Sequence, residues 1–378
     1  MRADAAMMAA IFLSGALLCG CGGGASATAA TTPTVQTAAP GIVSFTDSAL
    51  QNGAVMAVLG FTGSGSPAPG SVLYYTVDGT TPTTSSTRYL APFLVASNLT
   101  IKAVAQAPGD SVSNVASQSF TPNIPSGTLV WSDEFSNSTG SNAQPSSMIW
   151  TYDTGNSGFG NNELENYCAW GSNASPCSTA NPNAYVGTDG FLHIVARQPS
   201  AGVYTSARLK TEGLFSFQYG RIEARIKLPE GQGMWPAFWL LGNNVTTVEW
   251  PACGELDVME HIDGSNPQNE GFDWVQGSIH GSGLNGGIQF HPAGFSAAGW
   301  HTYGMIWSKG QIQYYVDDPA NVYATFNSST QAGTWPFDSG PEFVILNLAV
   351  GGSWPGSPDS TTVFPAEMLV DSVLVYSN

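Results

Sequence analysis

The densest group of reactive side chains in the sequence is Gly254-Glu-Leu-Asp-Val-Met-Glu-His261, where Glu255, Asp257 and Glu260 fall within six residues. The flanking apolar residues read as a β-strand. Side chains alternate along a strand, so Glu255 and Asp257 share a face and Glu260 would turn the other way, into the core. An unpaired carboxylate buried there is strongly unfavourable. One extra residue, a β-bulge around Val258-Met259, returns Glu260 to the face of the first two acids. Three acids on one face have a definite chemistry. Two carboxyls about 5–5.5 Å apart act as nucleophile and proton donor in retaining cleavage of a glycosidic bond. Strand α-carbons at this bulged spacing lie roughly 13 Å apart, so the two glutamates must lean together. Asp257 between them raises the proton affinity of its neighbours, so that one glutamate stays protonated near neutral pH while the other is ionised. Exposed surface acids, or ligands for calcium, are the competing readings. Trp235, Trp239 and Trp250 lie close in sequence and oxygen-rich loop ligands are missing, which favours catalysis.

The elements that must hold these acids are also legible. In the run 217–228, Ile222, Ala224, Ile226 and Leu228 share one face while Arg221, Glu223, Arg225 and Lys227 share the other. The run 343–350 is apolar almost throughout, as expected for a strand covered on both faces. No helical period persists for three turns. With 44 Gly and 24 Pro among 378 residues, the composition favours short strands and tight turns. An all-β, two-sheet sandwich of jelly-roll type follows. The net charge of −17 excludes nucleic-acid backbone and anionic membrane as partners. A neutral partner is the natural candidate, and some of the 11 Trp and 13 Tyr offer faces on which sugars stack, although most belong to the core.

Along the chain, residues 1–20 read as an export signal: Arg2, the apolar run Met7–Leu18, then Leu18-Cys19-Gly20-Cys21. This pattern is similar to a bacterial lipoprotein signal with Cys21 as the acylated residue, and Gly22 after it resembles an outer-membrane or surface destination. Plain secretion is the alternative. Contact with membrane is expected only through that anchor. Residues 21–40 are an Ala/Thr/Pro-rich tether. Residues 41–121 read as a small Ig-like β-sandwich, and residues 122–127 as a linker to a single large domain, 128–378. Cys168 and Cys177, in a Gly/Ser/Asn-rich loop, are close enough to close a small disulfide, whereas Cys253 reads as a buried free thiol.

Two resemblances add to this reading. The run YYTVDGTTPTTSSTRY at 74–89 resembles the Ig-like module at the C-terminus of chitobiase and β-hexosaminidase proteins, which implies a spacer or a weak glycan contact. The runs WSDEF (131–135), GNNELENY (160–167), YTSARLKT (204–211), FQYGRIEARIKLPEGQGMWPAFWLLG (217–242), WPACGELDVME (250–260) and LNLAVGGSWPGSPD (346–359) resemble glycoside hydrolase family 16, in its laminarinase branch. The resemblance implies a concanavalin-like jelly roll with an open cleft and endo-cleavage of β-1,3-glucan with retention, by a chain expected to act as a monomer without a catalytic cofactor. Mixed-linkage glucan, another β-glycan, transglycosylation or non-catalytic glucan binding are the alternatives. It implies Glu255 as nucleophile, Glu260 as acid/base and Asp257 as their electrostatic partner. Trp235, Trp239 and Trp354 resemble the cleft's stacking tryptophans, Asn162 and Arg208 its polar contacts on the glycone side, and His280 the histidine near the cleavage point. Arg208 also reads as a structural ion pair. Glu134 and Asp371 match the positions of a structural calcium on the convex face. The departures are Ser372 after that aspartate, Asp317-Asp318 where Asp-Gly is usual, and the segment 264–290, which fits no pattern.

Overall fold

A computed structural model describes residues 35–62, 67–263 and 271–378. The expected export signal and Cys21 lie outside these residues, as does most of the tether. Two large sheets dominate, antiparallel except where Glu165–Tyr167 runs parallel to Val203–Ser206. The groove sheet has seven strands, in the order Leu284–Phe290, Val275–Gly281, Glu255–Glu260, Met234–Gly242, Glu342–Val350, Arg208–Lys210 and Thr151–Asp153. The outer sheet has ten, with Gly220–Lys227 lying between Trp300–Ser308 and Ala366–Tyr376. The period-two pattern of 217–228 is obeyed: Ile222, Ala224 and Ile226 are fully buried and Leu228 nearly so. They meet Phe238, Leu240, Leu256 and Leu346 from the groove sheet in one core. Every residue of Glu342–Val350 is buried, as its apolar run requires.

The segment 264–290 hid its structure for a physical reason. Residues 264–270 lie outside the description, but Val275–Gly281 and Leu284–Phe290 form a regular hairpin closed by the two residues 282–283, with Gly283 at φ 68°. Its glycines blur the apolar alternation because they yield to aromatic neighbours. A β-carbon on Gly277 would sit 2.5 Å from the Tyr314 ring, and one on Gly286 would sit 2.8 Å from Phe326.

The N-terminal region forms a three-stranded sheet (Gly41–Phe45, Val55–Gly60, Phe93–Val95) and a four-stranded sheet (Thr87–Arg88, Val72–Thr76, Leu99–Gln106, Ala116–Phe120) around their own core of Leu59, Leu73, Phe93 and Ile101. The module is not held off as a free spacer. Ala49, Ala54 and Met56 join the large core beside Trp131 and Phe215. The Leu94 amide donates to the Ser216 carbonyl at 2.8 Å, and Ser216 Oγ donates to the Pro92 carbonyl at 2.9 Å.

Candidate active site

The strand Glu255–Glu260 carries the bulge that its charges demand. On one side Phe238 pairs with Met259 while the next residue, Trp239, pairs with Asp257. On the other side Asp257 pairs with Ser278, and Glu260 with Gln276. Val258 is the extra residue, and both Val258 and Met259 are buried in the core. All three acids therefore open into one groove of about 530 Å³, walled by Trp235, Trp239, Trp250 and Trp354. Asp257 is 4% exposed, and the Glu255 side chain keeps 18% of its surface at the groove floor.

Each acid has distinct partners. Glu260 Oε1 accepts from the Trp235 indole Nε1 at 3.2 Å, and its Oε2 accepts from Ser278 Oγ at 3.3 Å. His280 Nε2 lies 3.1 Å from Asp257 Oδ2 and 3.8 Å from Glu255 Oε1. Burial pushes each of the three carboxyls up to about 8. For both glutamates the charge of Asp257 is the next cause, while His280 pulls them down. Buried Glu342, at the start of the strand next but one, stays well above its ordinary value because of burial and the charges of Glu255 and Asp257. The groove thus holds protons on carboxyls at neutral pH, which a proton donor needs. Glu255, Asp257 and His280 also place ligand atoms within 4.8 Å of one another, the one such triple among the described residues. Holding a cation there would require both acids ionised, which groove burial opposes.

The remaining expected residues fall as follows. Trp239 Nε1 donates to Asn347 Oδ1 at 2.7 Å, and the Arg208 guanidinium lies over its ring at 4.6 Å. Arg208 Nε also sits 2.9 Å from Asp153 Oδ2, so the residue is both an ion pair and a groove wall. Trp354 stands in a turn just beyond the strand Glu342–Val350, edge-on to Trp235 at 5.4 Å. Asn162 departs from expectation. It adopts φ 59°, and its Nδ2 donates to Ser353 Oγ, while its neighbours Asn161 and Glu163 line the groove. Asn162 lies in a turn with left-handed backbone, where strand alternation does not assign a side. Glu163, Asn347, Phe159 and Ser278 were missed as groove residues. Glu163 stood in GNNELENY and could have been singled out as a carboxylate beside glycine and asparagine; the others carry no such signal.

Cys168 and Cys177 are joined by a disulfide, and Cys253 is a free, buried thiol. Glu134 and Asp371, the residues expected at a structural calcium, lie on neighbouring segments, because the strand Leu129–Asp133 that Glu134 follows pairs with Ala366–Tyr376. Asp371 Oδ2 accepts from Arg225 Nη1 at 3.2 Å, with both side chains partly exposed, and Glu134 is exposed.

Known proteins share this arrangement. Residues 65–120 match the Fn3 associated family, which agrees with a small β-domain without reaching the chitobiase-type likeness. The Beta-glucanase of Rhodothermus marinus is 38% identical over 269 residues, covering 66% of this chain and 84% of that protein. Glucan endo-1,3-beta-glucosidase A1 of Niallia circulans is 34% identical over 286 residues, 68% of this chain but only 38% of that longer protein. The solved catalytic domain of an endo-1,3-beta-glucanase (laminarinase) from Thermotoga petrophila RKU-1 aligns over 68% of this chain and 99% of its own. Its identity is 37% and its TM-score 0.58. The model of Glycosyl hydrolases family 16 matches residues 171–368, more than half of the chain and the whole of the acid-bearing strand. The chain belongs to glycosyl hydrolases family 16.

Proposed function

We propose that this chain is a retaining endo-β-1,3-glucanase that cleaves a laminarin-like glucan within its groove. The observation that carries this reading is the bulge at Val258, which brings Glu255, Asp257 and Glu260 into one tryptophan-walled groove. Relatives named for β-glucan and β-1,3-glucan cleavage support the substrate class.

The mechanism follows from the partners of each acid. Glu255 attacks the anomeric carbon, forming a carboxylate–carbon bond as the bond to the leaving oxygen breaks. Glu260 gives that oxygen its proton, and its position is fixed by the Trp235 and Ser278 donors. A water then loses a proton to Glu260 and attacks the anomeric carbon, releasing Glu255. Asp257, whose Oδ2 lies 3.1 Å from His280 Nε2, tunes the proton on Glu260: whenever Asp257 ionises, its charge between the two glutamates raises the proton affinity of Glu260. Stacking on Trp235 and Trp354 orients the sugar rings.

Purified full-length chain should release oligosaccharides from laminarin faster than from lichenan or agarose. Glu255→Gln and Glu260→Gln should each lower the rate by about 10³-fold or more. No release from laminarin would sink the substrate; full activity in both variants would sink the mechanism. We also propose export with lipid attachment at Cys21. Palmitate labelling in a bacterial host should be lost in Cys21→Ser, and labelling that persists would refute the anchor.

A further inference from the structure

A second cavity, of about 280 Å³, opens where the N-terminal module meets the strand ends of the groove sheet. The module contributes Ser86, Thr87 and Arg88; the catalytic domain contributes Asn243, Asn244 and Glu342. Thr247 and Val248 of the short helix Val245–Val248 line this cavity, Trp250 lines the active groove, and the two share no lining residue, so they are separate. The interface that forms it is fixed, because Thr87 Oγ1 donates to the Ser339 carbonyl at 2.9 Å and Ser216 bridges to Pro92.

The chemistry of the wall is unbalanced. Among the described residues, Asn243 Oδ1, Asn244 Oδ1 and Glu342 Oε2 are buried with no hydrogen-bond partner. Glu342 as a whole is 2% exposed. Buried polar atoms without partners are costly, so three among the residues of one cavity call for an unseen partner. The volume far exceeds one bridging water, whose share of liquid is about 30 Å³. Opposite them Arg88 is exposed and pairs with no carboxylate among the described residues, in a chain with 27 acids and 10 basic residues. Leu90 and Val248 add apolar surface at 38% and 45% exposure.

The missing partner is therefore rich in donors. A cation is disfavoured by the Arg88 guanidinium and by the burial of Glu342, which opposes a charge on its carboxyl. An anion is disfavoured by the unpartnered oxygens and by the acidic chain. A neutral polyhydroxylated ring satisfies all of these: hydroxyls for the oxygens, acceptors for Arg88, and an apolar face for Leu90 and Val248. We infer that this cavity is a second saccharide-binding site, built jointly by the module and the catalytic sheet and lying outside the active groove. The choice of a glucan probe rests on the glucanase reading above.

The test is calorimetric titration of the full-length Glu255→Gln chain with laminaritriose. Two sites per chain are expected. Adding Ser86→Trp, which fills the cavity, should abolish the second site. Adding Arg88→Ala, a surface change that leaves folding intact, should weaken it at least 5-fold. Groove affinity, and hydrolysis of laminarihexaose by either substitution in an otherwise unmodified chain, should stay within twofold. One site in the Glu255→Gln chain, or a second site untouched by Arg88→Ala, overturns the inference. Laminarin hydrolysis by the unmodified chain is measured alongside. Its absence would count against the glucanase reading, whereas a missing second site in a chain that hydrolyses laminarin overturns the cavity assignment alone.

Discussion

Asp257 sets the proton balance of the groove, because its charge, after burial, is the strongest influence lifting Glu260. Replacing it by asparagine removes that charge and lowers the affinity of Glu260 for its proton. A proton donor works only while protonated, so activity is lost as pH rises through its pKa. Asp257→Asn should therefore move the alkaline limb of the kcat/KM profile to lower pH, by on the order of one unit. A limb that stays put, or moves up, would show that Asp257 does not tune the donor. At this scale the sequence was informative about charge. The three acids and the bulge followed from the cost of burying Glu260. The partners Trp235, Ser278 and His280 did not follow, since they come from strands far apart in sequence.

Between elements, a chain of hydrogen bonds runs beneath the groove across three strands. Trp239 donates to Asn347, Asn347 Nδ2 donates to the Tyr167 hydroxyl at 3.2 Å, and that hydroxyl donates to Glu163 Oε2 at 2.8 Å. Tyr167 is fully buried. Tyr167→Phe strands an amide donor and a carboxylate acceptor, at about 1–3 kcal/mol in stability. It should raise KM several-fold through a loosened Trp239 and Arg208, with kcat changed less. Thermal unfolding and Michaelis kinetics check this, and a fall in kcat at constant KM would contradict it. The strands themselves were legible from alternation and apolar runs. The hairpin 275–290 was not, because its glycines serve Tyr314 and Phe326, which the chain reaches only later. Asn162 was expected from the family resemblance alone, and its positive φ goes with an amide that donates to Ser353.

For the whole molecule, the docked module is the feature with most consequence. Met56 is 1% exposed and lies in the catalytic domain's core with Trp131 and Phe215. Met56→Asp buries a charge there and should destabilise the protein by roughly 3 kcal/mol or more, lowering the single Tm of the chain. Calorimetry showing two transitions, with the catalytic one unmoved, would mean the module is only a spacer after all. The sequence by itself determined the strand pattern, the sign of the charge, the bulged acid strand and its family likeness, because each depends on neighbours within a few residues. Tertiary structure alone decided that Asn161 and Glu163 line the groove while Asn162 turns to Ser353, that Arg225 pairs with Asp371, and that the module shares a core and a cavity with the catalytic sheets. Those outcomes depend on which distant surfaces meet, and local periodicity carries no information about that.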